Sequence, residues 1–122
     1  MEVRVAPASG RYPLPVAPIL RGTLLDGSAA PPEGERHDRI AELGGTVIEQ
    51  IVSSQRTPPQ DYLQDHDEWV VLLAGAATVD IDGESVELRE HDWVLLPARV
   101  PHRLVRTEQG TVWLAVHTAP SP

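Results

Sequence analysis

The stretch EWVVLLAGAATVDIDGESVELREHDWVLLP, Glu68–Pro97, decides how this chain folds. Trp69–Leu73 is a continuous apolar run of strand length, as expected of a strand covered on both faces. Beyond Gly75 the period becomes two. Val79 and Ile81 share one parity in Ala76–Asp82, as do Val86 and Leu88 in Glu84–Arg89, so each arm has one apolar face. Asp82-Gly83 between the arms is a hairpin signal, because a tight two-residue turn needs left-handed backbone that Asp and Gly tolerate. Trp93–Leu96 follows as a further short strand and stops at Pro97.

The same pattern extends outward on both sides. Upstream, Thr46–Val52 is rich in β-branched residues and ends before Pro58-Pro59. Downstream, the turn-forming stretches Pro97–Pro101 and Thr107–Gly110 separate His102–Val105 and Thr111–His117. About seven short strands at spacings of roughly 8–12 residues predict an all-β antiparallel sandwich or small barrel. Glu35–Leu43 places Ile40 and Leu43 at helical spacing and stops at Gly44-Gly45, which predicts a short helical turn. Pro7, Pro13, Pro15 and Pro18 predict an extended arm over residues 1–18, leaving one domain over residues 19–122. A chain of 122 residues suits a single hydrophobic core.

Composition narrows the chemistry. The chain has no Cys, Lys, Asn or Phe, and all ten of its cations are Arg. Disulfides, thiolate nucleophiles, Cys-ligated metals and lysine Schiff bases are therefore excluded. A net charge of −8 argues against nucleic acid and anionic membrane as partners, since both require a basic face. No apolar stretch approaches the roughly 20 residues of a membrane span. A signal core is interrupted by Pro13, Pro15 and Pro18, and a cytoplasmic location is the default expectation. The nine Gly never fall in Gly-x-Gly-x-x-Gly spacing, which disfavours nucleotide chemistry.

What remains is oxygen and imidazole, concentrated in Gln60–Glu68 and in Glu90-His91-Asp92 followed by Pro97–His102. Ionisable groups beside buried strands need water, a partner or a metal. Gln64, His66 and Glu68 share a parity, as do His102, Leu104 and Arg106, so a barrel would turn both sets toward one interior. His37 and His91 are expected at the surface.

The spacing of these residues resembles that of the cupins. Glu68, six intervening residues and Gly75 match the second half of the first cupin motif, Gly-x5-His-x-His-x3-4-Glu-x6-Gly. Counting from His91, Pro97 and His102 match the second, Gly-x5-Pro-x-Gly-x2-His-x3-Asn. His91 and Arg99 stand at its two glycines and Arg106 at its final Asn. The chain is similar, over about Thr46–His117, to a small single-domain cupin of a subgroup without assigned function. The resemblance implies a cupin-like antiparallel β-barrel or jelly roll, a small-molecule ligand, and a homodimer in which the arm could be an exchanged strand.

In metal-binding cupins two His and the Glu of the first motif, with the His of the second, hold one divalent ion. Here Glu68 and His102 match, while Tyr62 and Gln64 occupy the His-x-His positions. The expectation that follows is a site of Gln64, His66, Glu68 and His102 for Fe, Mn, Ni or Zn. Tyr62 and His66 would move protons, and Tyr62, Arg106 and His117 would contact substrate. Arg106 would either pair with Glu49 or Glu68 or bind an anionic ligand. Three functions stay open: a metal-dependent oxygenase, isomerase or lyase, a non-catalytic binding or sensing module, and a structural domain with a vestigial pocket.

Overall fold

The computed structural model describes residues 17–119. After a short 3₁₀ turn at Gly27–Ala29, nine strands follow among the described residues: β1 Glu35–Leu43, β2 Thr46–Ser53, β3 Gln60–Tyr62, β4 Glu68–Ala74, β5 Ala77–Ile81, β6 Glu84–Leu88, β7 Trp93–Leu96, β8 His102–Thr107 and β9 Thr111–His117. They form an antiparallel five-stranded sheet, β1-β2-β9-β4-β7, and an antiparallel four-stranded sheet, β3-β8-β5-β6. The expected arm falls largely on residues 1–16, outside the described residues. No described helix is long and apolar enough to cross a membrane.

The core lies between the sheets and is built by strand alternation. Val70, Leu72, Leu96, Trp113 and Ala115 come from one sheet, and Ala77, Val79, Leu88 and Leu104 from the other. This is a jelly roll. The outer residues of β4, Trp69, Val71 and Leu73, are only half-buried, so the double coverage expected of that strand is partial.

Local chemistry places the turns. Asp82 (φ 49°) and Gly83 (φ 83°) both take the left-handed backbone of a type I′ hairpin, with Ile81 paired to Glu84. Gly75 has φ 91°, and a Cβ there would lie 2.5 Å from Thr111 Oγ1, so β4 turns into β5 only where no side chain is present. On the outer face, Gln50 is 1% exposed and its side-chain amide acts as a strand would. Its Oε1 accepts from the Leu25 N–H (2.9 Å) and its Nε2 donates to the Leu25 carbonyl (2.7 Å), tying the segment before β1 to the sheet.

Two expectations are corrected, and β-bulges are the reason for both. Glu35–Leu43 is a strand, not a helical turn. Arg39 pairs with Glu49 and Ala41 with Ile48, so Ile40 is an extra residue that breaks the period of two. Ile40 and Leu43, which suggested a helix face, are 45% and 60% exposed. In β8, Leu104 pairs with Val79 and Arg106 with Thr78, so Val105 is the extra residue. The parity linking His102, Leu104 and Arg106 therefore fails after Leu104. Arg106 is exposed, and among the described residues no carboxylate, Glu49 and Glu68 included, lies within salt-bridge distance of it.

Candidate functional site

A cavity of about 300 Å³ opens between the sheets. Its floor is apolar, with Val70, Val79, Leu88, Leu96, Leu104 and Trp113 supplied by the inward faces of six strands. Its mouth is polar. Tyr62, Gln64, Glu68, His102 and His117 stand there, brought together from β3, the β3–β4 loop, β4, β8 and β9.

Glu68 begins β4, pairing with Leu96 on β7 and His117 on β9, and its side chain is only 10% exposed. Burial pushes its carboxyl above the ordinary carboxylate range, while His102, the Gln64 amide and His66 pull in the opposite direction. His117 Nε2 stands 3.9 Å from Glu68 Oε2, beyond hydrogen-bond range, and burial pushes that imidazole's pKa down. The Tyr62 ring stacks on His102, with centroids 5.1 Å apart and planes 10° from parallel. Burial first, and then the charges of Glu35, Glu68 and Glu49, push the Tyr62 phenol up to about 12.

His66 sits in the bend before β4 and is not part of the cavity lining. Its Nε2 meets His117 Nδ1 at 2.9 Å, and the two rings make an edge contact. Arg106 also lies outside the lining, carried to the outer surface by the Val105 bulge. His91 is an exposed turn residue at φ 72°, and Arg99 has φ 65°, so the two residues at motif glycine positions hold left-handed backbone.

The other side of the mouth escaped the sequence reading except for Glu49, which that reading offers as an interior partner of Arg106. Glu35 and His37 from β1 and Glu49 and Ile51 from β2 also line the cavity. His37, expected to lie free at the surface, has its Nδ1 2.6 Å from Glu49 Oε1 and its Nε2 3.8 Å from Glu35 Oε1, with its side chain 49% exposed. The Glu35 side chain is 8% exposed and accepts from Ser53 Oγ (2.5 Å), which in turn accepts from Trp113 Nε1 (3.0 Å). Alternation in Glu35-Arg36-His37-Asp38 was the available signal, masked by the Ile40 bulge.

Tested as a metal site, the donor set does not fit. Tyr62 is held as a phenol, His66 is turned onto His117, and His102 Nδ1 faces the Val100 carbonyl at 3.2 Å. Among the described residues no group of three His, Asp or Glu side chains stands close enough together to hold an ion.

Comparison with known proteins agrees with the fold. A solved protein of Ralstonia eutropha JMP134, provisionally named a mannose-6-phosphate isomerase, is 32% identical, with 80% of this chain and 99% of that one covered at a TM-score of 0.64. An RmlC-like cupin of Shewanella frigidimarina is 16% identical over 72% of this chain and 78% of its own, at a TM-score of 0.64. The cupin domain of an XRE-family transcriptional regulator of Enterobacter cloacae is 15% identical over 73% of this chain and all of its own (100%), at a TM-score of 0.61. None of the curated protein sequences compared matches. The cupin-domain family model matches residues 48–117, from β2 to the end of β9, and the chain belongs to the cupin family.

Proposed function

We propose that this chain is a small-molecule-binding cupin whose ligand enters between the sheets, apolar part toward the floor and polar part among the side chains of the mouth. The observation that carries this reading is the cavity itself. Its volume of about 300 Å³ matches the lower end of small-molecule sites, roughly 300–1,000 Å³. An interior without a ligand would gain stability by filling with apolar side chains, because taking carboxylates out of water is costly even where they are hydrogen-bonded. The binding or sensing role therefore leads, with Tyr62, Gln64, Glu68, His102 and His117 as contact residues. The Ralstonia relative's name points to a phosphorylated sugar. Among the described residues no arginine lines this cavity, which leaves a phosphate without a fixed cation.

A metal-dependent enzyme is the second reading, and what favours it is that Glu68 and His102, the two residues matching the motif spacing, both line the cavity, although the donor set around them does not fit an ion. Purified tag-free protein, supplied in turn with Fe, Mn, Ni and Zn and dialysed, decides between them by elemental analysis. Substoichiometric metal throughout is the expected outcome. One equivalent that disappears in Glu68→Gln and His102→Ala would transfer the assignment to the enzyme. The single domain of residues 19–122, the arm over residues 1–18 and the homodimer belong to the same proposal. Trp93 and Leu95, 60% and 57% exposed on β7, supply an apolar outer face that a second copy could cover. Light scattering of the full chain, and of one lacking residues 1–18, reads that assembly.

A further inference from the structure

The outer faces of the two sheets are unlike. On the four-stranded sheet Asp61, Arg103, Asp80 and Ser85 make one cross-strand row, and Arg106, Thr78 and Glu87 the next. Every one is polar, as a face turned to water requires. On the five-stranded sheet Ile48, Val116, Trp69 and Leu95 make one row. Gln50, Leu114, Val71 and Trp93 make the next, where Gln50 alone is polar and its amide is already held by Leu25. A sheet apolar on both faces is built to be covered on both.

The cover is partial. Where the segment before β1 crosses this face, Gln50 and the adjoining pair Val52 and Val112 are buried. Toward β7 the face opens: Leu114, Val116, Trp69 and Val71 are half-buried, and Trp93 and Leu95 are exposed. The crossing segment runs back to Ile19 and Leu20, which are 92% and 85% exposed and so lie off their own sheet. One copy of the chain therefore leaves two apolar sets in water: the end of the covering segment and the part of the face it does not cover.

Charge names the occupant. A chain of net charge −8 repels its own copies, so self-association needs a contact face free of charge. The rows on the five-stranded sheet supply one, and those on the four-stranded sheet do not. Trp69 and Trp93, with ring centroids 6.2 Å apart, add the aromatic surface on which contact energy concentrates. We propose that two copies dock through this face about a two-fold axis, with Ile19 and Leu20 of each laid on Trp69, Val71, Trp93 and Leu95 of the other. A two-fold contact is self-complementary, so one arrangement covers both sets in both copies. It lies on the opposite side of the sheet from the cavity. This inference rests on the homodimer reading above and adds to it the contact face and the exchanged segment.

Sedimentation velocity of the full-length chain over a dilution series reads the contact. The parent is expected to be a dimer that tightens as added salt screens the like charges. Leu95→Arg, at a side chain already exposed in one copy, should raise the dimer dissociation constant about a hundredfold or more, because the two-fold axis places the new charge in the contact twice. A circular dichroism spectrum matching the parent's shows that the variant is folded, and Trp93→Gln repeats the test without a new charge, with an expected rise of about tenfold. The paired change Ile19→Ser with Leu20→Ser should also raise the constant about tenfold, and Ser85→Arg, on the outer face of the other sheet, should leave it unchanged. A parent that stays monomeric through the whole series overturns this inference and the homodimer reading together. A dimer that Leu95→Arg and Trp93→Gln leave intact, or that salt loosens, overturns this face and leaves the homodimer standing. Weakening by those two variants with none from the paired change overturns the exchanged segment.

Discussion

The two sides of the cavity mouth use the same residue types and hold them in different ways. On the β4–β8 side, Glu68 is set into the middle of the five-stranded sheet between β7 and β9, 10% exposed and with no imidazole in hydrogen-bond reach. On the β1–β2 side, Glu49 is 24% exposed and holds His37 at 2.6 Å on a sheet edge. One carboxylate is enclosed and partnered by the Gln64 side chain, and the other is paired with an imidazole and wetter. Enclosure, rather than the lack of a partner, is what makes ionising the first costly.

The largest consequence of that difference is in stability against pH. Glu68 in the fold has a pKa raised above its ordinary 4.5, so the protonated form favours the folded state. That contribution is complete below 4.5 and is lost as the pH rises through the raised value. Glu68→Gln keeps the protonated shape at every pH. Its Tm is expected above the parent's at pH 8 and equal to it below 4.5, by differential scanning calorimetry. Glu49→Gln, which leaves His37 a neutral amide oxygen in place of its carboxylate, should instead lower stability, by at most about 1 kcal/mol. Equal pH profiles for the two variants would erase the distinction between the walls.

A smaller effect sharpens it. Two turn residues outside the cavity, His91 and Arg99, are non-glycine residues at φ 72° and 65°. His91→Gly and Arg99→Gly should each stabilise by about 0.5–1 kcal/mol, raising Tm by roughly 2–5 °C. No gain from either would mean that their side chains supply compensating contacts. The smallest effect is a null one. Arg106→Leu should leave stability within about 0.5 kcal/mol and the affinity of any cavity ligand unchanged, because the Val105 bulge removes this residue from the cavity. A change in ligand affinity on Arg106→Leu would return the residue to the wall from which the bulge displaces it.

The two walls also differ in how far they could be read from sequence. Seven of the eight strands from Thr46 to His117 were legible because their apolar residues alternate, the three-residue β3 being too short and polar to show it, and Glu68, Gly75, Pro97 and His102 carry a recognisable spacing. Alternation carries a direction only while the ladder is regular. One inserted residue, Ile40 in β1 or Val105 in β8, reverses every parity beyond it. That hid Glu35 and His37 behind an apparent helix and turned Arg106 inward on paper. Which partner each imidazole meets was not legible at all, since His66 and His117 are 51 residues apart and their 2.9 Å contact depends on tertiary packing.

The position of β1 as an outer strand, hydrogen-bonded among the described strands to β2 alone, bears on the order in which this molecule comes apart. Its amides open to solvent at a lower free energy than those of β9 and β4 in the sheet interior. Hydrogen exchange in residues 35–43 is therefore expected to be fast in the free protein, with β1 peeling and reclosing while the core stays folded. A cavity ligand that touches β1 through Glu35 or His37 would fasten that strand, so its first signature in solution is slowed exchange along β1.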